Sequence, residues 1–247
     1  MQLILASQSE GRKYLLKQLK IPFEIIHTDL DEEKIVGKSH LETIQLRAKL
    51  KAKKAAAKII QSTNYPINQL TNKKLLTTNH QPLTYLILSA DTEVIFNNQP
   101  LGKPKNYDEA VRILKILSGK THEVVSSFYI IKLKVGGASE GLPNVASLTL
   151  SPTKWSDFEA EFGIRERQDP LIRIWKGFDR SFVTFCKLKD EDIKLYLSLT
   201  NYTRYTGGYA LIASPQYFIT KIEGSISNVI GLPMEKVIPI LVSTKLM

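Results

Sequence analysis

Six residues, Tyr85 to Ala90 (YLILSA), restrict the fold of this chain more than any other feature. The run is uncharged and does not alternate apolar with polar, so as a strand it must be buried on both faces. Layers of helix or further sheet are needed to cover it. Its neighbours supply candidates. Leu3 to Ser7 (LILAS) reads as a short buried strand, Gln8 to Gly11 as a turn, and Leu15, Leu16 and Leu19 give Arg12 to Leu19 a helical spacing. Phe23 to Thr28 reads as another strand, and a long helix is expected from about Leu41 to Gln61. After Asp91-Thr92, Glu93 to Phe96 continues the buried strand past a bend, and Asn97 to Gln99 is a turn. Asn106 with Glu109 resembles a capping box, followed by a helix face of Ala110, Ile113, Leu114 and Leu117 and a terminating Gly119. Val124 to Val135, Phe182 to Leu188 and Tyr217 to Ile222 read as strands, and Asp190 to Leu199 as a helix. A last helix starts at Pro233, and Pro239 should kink or shorten it. Strands and helices alternate, which points to an α/β or mixed α+β layering.

The 247 residues allow one large domain or two small ones. The expectation is a single domain over 1–247 with insertions near 62–84, a stretch rich in Thr, Asn, Gln and Pro, and near 136–179, which holds Trp155 and Trp175. Cys186 is the only cysteine, so no internal disulfide can form, and a cytoplasmic location is expected. The longest stretches free of Asp, Glu, Lys and Arg are 16 residues, too short to span a bilayer.

The net charge of +10 is unevenly spread. No acid occurs between Thr43 and Ala90, while Arg47, Lys49, Lys51, Lys53, Lys54 and Lys58 fall within twelve residues. Ile44, Ala48, Ala52, Ala55 and Ile59 form an apolar stripe on the same helix, with most of the basic residues off it. The cations are either a solvated face or a means of steering a polyanion. No zinc spacing, RNP aromatic motif or helix-turn-helix pattern accompanies them, so a phosphate-bearing small ligand ranks above nucleic acid.

Three segments carry candidate chemistry. In Ser7-Gln8-Ser9-Glu10-Gly11-Arg12, a strand gives way to a helix N-terminus whose free N–H groups suit phosphate, with two hydroxyls and a guanidinium added. The alternative is an ordinary N-cap at Ser9. Asp91-Thr92 ends the YLILSA strand, where α/β proteins place ligand sites; Asp91 can bind a divalent cation or act as a base on water, or simply start a turn. Leu101-Gly102-Lys103-Pro104 offers a stiff turn with a point charge. Asp31, Glu32 and Glu33 are candidate metal partners for Asp91. The four histidines and one cysteine make no zinc site, and no GxSxG, GxxxxGK[ST] or GxGxxG motif is present.

Taken in order, these segments resemble the Maf family of nucleoside triphosphate pyrophosphatases. LASQSEGRKYLL (Leu5 to Leu16) matches the family's LASxSPRRxxLL, Asp31-Glu32 its acidic pair, and Ala48 to Ala52 its AxxKA with the lysine at Lys51. Ala90 to Val94 matches ADTxV, Leu101 to Pro104 LxKP, Leu117 to Val124 LSGxxHxV, and Gly224 to Pro233 GSxxNVVGLP. The resemblance implies an ITPase-like fold: an elongated mixed β-sheet flanked by helices, with a cleft between two lobes. It implies hydrolysis of a nucleoside triphosphate to a monophosphate and pyrophosphate, with Mg²⁺ or Mn²⁺ as cofactor, often in a homodimer. Carried over by position, Asp91 is the catalytic proton acceptor. Ser7, Ser9, Arg12, Lys51 and Lys103 hold the triphosphate, Thr92 is associated with base choice, and Glu32 and Asp91 place the metal. The partner implied is the nucleotide; from the residues themselves no membrane is expected, and nucleic-acid binding through the basic helix ranks below it.

The chain also departs from that pattern. Glu10 and Gly11 replace the proline and first arginine of SPRR, and RYTGGYALIA (Arg204 to Ala213) replaces DKAGxYGIQG, so Tyr205 stands for the motif lysine and Ile212 for its glutamine. Arg204 is a candidate substitute for the lost lysine. These losses remove a guanidinium fork and an amide able to read a base edge, so they leave the preferred base open. They also motivate an alternative: a catalytically degenerate member that binds nucleotide or a protein partner without turnover.

Overall fold

The structure is a computed structural model, and it describes residues 1–62, 83–135, 172–213 and 215–247. Thirteen regular elements of sheet and α-helix are described. In chain order they are β1 (Gln2–Leu5), α1 (Glu10–Gln18), β2 (Phe23–Ile25), α2 (His40–Ser62), β3 (Leu83–Phe96), β4 (Gln99–Leu101), α3 (Tyr107–Leu117), β5 (Thr121–Val135), β6 (Ile172–Phe185), α4 (Asp190–Leu199), β7 (Ile219–Glu223), α5 (Ile226–Ile230) and α6 (Met234–Ser243).

Seven strands form one sheet in the order β2-β1-β3-β5-β6-β7, with β4 paired to β3. β1 runs parallel to β2 and β3, pairing Leu3 with Phe23 and with Leu86, and every other pairing is antiparallel. This is the mixed α/β sheet flanked by helices that the resemblance implies.

One detail of the register positions everything that follows. The pairing of β1 with β3 ends at Leu5↔Leu88, and that of β4 with β3 begins at Val94↔Leu101. Between those points one edge of β3 has lost one partner strand and not yet gained the next. Asp91, Thr92 and Glu93 occupy that break, just past the carboxyl end of β1.

Three apolar clusters surround the break. Leu5, Leu16, Leu88, Ile130, Val237 and Leu241 pack α1 and α6 on one face of the sheet. On the other face, Ile4, Ile87, Tyr129 and Ile131 receive Ala48, Ala52 and Ala55 of α2. Those alanines are fully buried, and their small side chains let α2 lie so close that Ser89 Oγ donates to the Ala48 carbonyl at 2.6 Å. Val94, Leu114, Val124, Phe185, Tyr196 and Phe218 form the third cluster at the far end, under α3 and α4. Ala90 belongs to the first cluster and Val94 to the third, so the break falls between two separately packed lobes.

Several expectations are revised in detail. β3 runs unbroken through Asp91 to Phe96, because β5 pairs with it as far as Ile95. α6 continues past Pro239 to Ser243; losing one backbone donor is offset by the burial of Val237 and Leu241 on the same helix. The expected excursion over 136–179 is cut short, since Ile172 to Asp179 belong to β6 and pair with β5. Residues 63–82 and 136–171, including most of both expected insertions and Trp155, lie outside the described residues.

Candidate active site

Successive residues of a strand face opposite sides of the sheet, so Asp91 and Thr92 look in opposite directions. Asp91 faces α2. Its Oδ1 accepts from Lys51 Nζ at 2.8 Å, and its Oδ2 lies 3.7 Å from an Arg47 terminal nitrogen. Lys51 also donates to Glu32 Oε2 at 3.1 Å and to the Ala90 carbonyl at 3.1 Å. Lys51 is almost wholly buried, because the α2 turn that carries it is pressed against the sheet by the alanine stripe.

Burial alone would push the Asp91 carboxyl up. Lys51, Arg12 and Arg47 outweigh it, with the Lys51 hydrogen bond adding to the effect, and hold the group below its ordinary value. Asp91 therefore stays a carboxylate. Its Oδ2 is buried and accepts no hydrogen bond among the described residues.

Thr92 faces α1 and α5. Arg12 is buried there, donating from Nε to the Gly231 carbonyl at 2.8 Å and from its two terminal nitrogens to Ser7 Oγ at 2.9 Å and Thr92 Oγ1 at 3.0 Å. Burial lowers the Arg12 pKa, against the opposing pull of Asp91 and Glu32, so the two faces are electrostatically linked. Ser9 caps α1, accepting from the Arg12 backbone N–H at 3.5 Å, as the ordinary N-cap reading has it. Behind Thr92, Ser126 Oγ lies 2.8 Å from Thr92 Oγ1 and 2.8 Å from the Asn228 carbonyl. The buried Asn228 amide accepts from Ser126 N–H and donates to the Val124 carbonyl and Ser181 Oγ.

The structure thus joins Lys51, Asp91 and Glu32 in one group and Ser7, Arg12 and Thr92 in another, on either side of β3. It does not bring Lys103 into either. That lysine is exposed and makes no hydrogen bond or ion pair among the described residues. Its own segment is anchored beside Val94, where the Gly102 carbonyl accepts from Gly207 N–H at 3.0 Å.

Two of the departures meet. Arg204 pairs with Glu10 at 3.3 Å on the surface, and Glu10 also pairs with Lys13 at 2.9 Å. Gly11 is tightly enclosed: a Cβ there would stand 2.5 Å from the Ile230 carbonyl oxygen, so α1 and the end of α5 pack at a distance no side chain tolerates. Ile212 and Tyr205 are half-buried in the irregular segment before β7.

Residues outside the expected set also build the site. Arg47 lies one helical turn before Lys51, a spacing that puts both cations on one face of α2. Glu93 lies two residues after Asp91 on the same side of β3. Both signals were available in the sequence. Elsewhere on α2, Lys54 donates to the Asp29 carbonyl at 2.9 Å, and Lys58 to the His27 carbonyl at 2.7 Å and Asp29 Oδ2 at 2.6 Å. Much of the basic helix thus binds the loop after β2. Among the described residues, no three His, Cys, Asp or Glu side chains gather into a metal cage. Mg²⁺ does not require one, since it typically takes one or two carboxylates and completes its shell with water and phosphate oxygens. The unbonded Asp91 Oδ2, with the partly exposed Glu32 joined to the same Lys51, fits that donor set.

Comparison with known proteins decides the family. The sequence matches the family model described as Maf-like protein over residues 2–244. The chain belongs to the Maf family. Curated members similar to it include the dTTP/UTP pyrophosphatase of Ruminiclostridium cellulolyticum, 30% identical over 95% of this chain and 91% of the relative. The enzymes of that name from a Geobacillus species (29% identical over 96% of this chain and 95% of the relative) and Pseudoalteromonas atlantica (30%, 94% and 91%) are also similar. In this Maf protein no helix among the described residues is long and apolar enough to cross a membrane.

Proposed function

We propose that this protein is a nucleoside triphosphate pyrophosphatase, hydrolysing a nucleotide between its α and β phosphates to a monophosphate and pyrophosphate. dTTP and UTP are the first candidates, because similar proteins carry that name. The observation that carries the reading is Asp91: a buried carboxylate, kept ionised by Lys51, with one oxygen unbonded at the break in the sheet edge.

Asp91 Oδ2 takes the proton of the attacking water. Lys51 locks the other oxygen, so the acceptor is aimed and cannot rotate away. Arg12 commits three of its donors to the frame, and a guanidinium has five. The remaining donors, with the α1 N-terminus, Ser7 and Ser9, bind phosphate oxygens. Lys103, unpaired among the described residues, adds a mobile charge to the polyphosphate. Asp91 and Glu32 would hold a divalent cation such as Mg²⁺ or Mn²⁺, which when bound neutralises charge on the leaving pyrophosphate. Thr92 contributes to base choice. A single domain with two insertions, a homodimer and a cytoplasmic location belong to the same reading.

A second reading is favoured by the departures. Arg204 is occupied by Glu10, and Gly11 has no room for a side chain, so two cations of the pattern are missing. It is a binder without turnover. Pyrophosphate release from a panel of canonical and modified triphosphates, with Mg²⁺ or Mn²⁺, separates the two. Release with a matching monophosphate is the expected result. Saturable nucleotide binding without release would transfer the case to the binder, and neither binding nor release would remove both readings.

A further inference from the structure

Beside the proposed machinery stands an ion-paired group that it does not use. Glu93 is buried next to Asp91 on the same side of β3. Its Oε1 accepts from an Arg47 terminal nitrogen at 3.2 Å, the same nitrogen that lies 3.7 Å from Asp91 Oδ2. Arg47 is steadied at its other end, where Nε donates to the Ile35 carbonyl at 3.1 Å. Glu93 Oε2 has no hydrogen-bond partner among the described residues; His40 Nδ1 approaches only to 3.6 Å, and the other ring nitrogen lies 3.2 Å from the Asn98 carbonyl. Arg47 is thus the one firm partner of a buried acid. A guanidinium shared between two carboxylates, hydrogen-bonded to one and merely near the other, is a divided cation.

The division has a consequence at Asp91. Were Arg47 to close the gap from 3.7 Å to a hydrogen bond, both oxygens of Asp91 would be occupied, Oδ1 by Lys51 and Oδ2 by Arg47. A carboxylate with a cation hydrogen-bonded to each oxygen is a weaker proton acceptor, and a guanidinium seated on Oδ2 takes a lone pair there and crowds the approach of water or metal. We propose that Glu93 is a positioning residue that draws Arg47 off the second oxygen of Asp91, keeping it open. Arg47 then contributes charge to the site without capping its base. This rests on the reading of Asp91 as the proton acceptor. It adds a residue pair and an arrangement in which Arg47 alone, without Glu93, is inhibitory.

That arrangement predicts an inverted double-mutant pattern. Glu93→Leu keeps similar bulk and leaves Arg47 with Asp91 as its only carboxylate. The expected result is a fall in kcat of about tenfold or more with KM changed by less than about threefold, since phosphate contacts elsewhere are untouched. Arg47→Met added to Glu93→Leu removes the capping cation and replaces a buried ion pair by apolar groups, which proteins often tolerate. The double variant should recover to within about threefold of wild type. A purely structural role predicts a double variant no better than the worse single one, and that result would overturn the proposal, as would full kcat in Glu93→Leu.

A crystal structure of Glu93→Leu reads the same point without turnover. Arg47 should sit at about 2.9 Å from Asp91 Oδ2; a gap unchanged from 3.7 Å sinks the idea. If wild type releases no pyrophosphate from any triphosphate, the functional reading fails by itself, and the Arg47–Asp91 distance still decides the arrangement. If Glu93→Leu does not fold, the double variant decides it: turnover within about threefold of wild type supports the arrangement, and a folded double variant without turnover overturns it.

Discussion

The two sides of β3 treat ionisable groups in opposite ways. On the α2 side, Asp91, Lys51, Arg47, Glu32 and Glu93 form one continuous chain of charges. On the other side, burial keeps the β5 and loop groups neutral. His122, on the same face of β5 as Val124 and Ser126, is pushed down to about 4 by burial, and the Tyr209 hydroxyl hydrogen-bonded to it at 2.7 Å is pushed up. Around Thr92, hydroxyls and the Asn228 amide do the bonding, with Arg12 as the one cation hydrogen-bonded there among the described residues. A buried charge is tolerated only where a partner of opposite sign is in reach. The charged side is therefore where proton transfer and cation binding can occur, and on the neutral side Ser126 and Asn228 form a frame that positions Thr92 and Arg12.

The largest test of this contrast is Asp91→Asn. The amide keeps the shape and loses the acceptor, so pyrophosphate release should fall by about a thousandfold while the thermal midpoint stays near wild type. Nucleotide binding by calorimetry should survive. Near-normal turnover would mean that the chemistry lies elsewhere.

Asn228→Ala tests the frame. It strips three partners at once: the Ser126 N–H, the Val124 carbonyl and Ser181 Oγ. All are deeply buried, so the expected loss is about 4 kcal/mol in denaturant unfolding, far more than any loss of activity in the molecules still folded. A variant of normal stability and no turnover would reverse the assignment and make Asn228 part of the chemistry.

The neutral side also makes a claim about pH. His122 in the folded protein protonates near 4, against an ordinary 6.5, so the unfolded chain binds the proton first as pH falls. The stability due to the neutral ring is present above about 6.5 and is lost between there and 4, by about 3 kcal/mol for so deep a shift. His122→Gln should flatten that slope in urea melts taken between pH 7 and 4. An equal slope in both proteins would show that the ring is not the titrating group.

How much of this was legible in the sequence depends on the distance over which a signal acts. YLILSA, the alanine stripe of α2, the Asn106 cap and the helix Asp190–Leu199 are local patterns, and each folds as its spacing says. Asp91, Lys51 and Glu32 were legible as residues, and their convergence follows from α2 crossing the sheet. Lys103 was legible only as a motif; its side chain reaches solvent, because the turn that carries it is anchored to Gly207 through backbone. The spacings of Arg47 from Lys51 and of Glu93 from Asp91 were legible, but neither residue stands out alone, one being a cation among six on a basic helix and the other the unspecified position of ADTxV. The break between β1 and β4 was hidden because it is a property of pairing register, which no single segment encodes.

The smallest expected effect concerns Glu10 and Arg204, which lie outside both sides of β3. Here an acid stands in the first turn of α1, whose N-terminus is proposed to bind phosphate, and an exposed arginine pairs with it. The acid is held below its ordinary value first by its hydrogen bond to Lys13, so it is ionised at neutral pH. An exposed pair of this kind adds little stability, and a double-mutant cycle should give a coupling below about 0.5 kcal/mol. Its effect on ligand is a different matter. Glu10→Gln removes a repelling charge from the mouth of the site and releases Arg204 toward it, so KM for a triphosphate should fall about twofold at low salt. The gain should vanish above about 0.5 M salt, where exposed charges are screened. Arg204→Ala should move KM the other way by a similar factor. If Glu10→Gln instead raises KM, the pair is organising the α1 turn for phosphate, and the replaced positions belong to the site's frame.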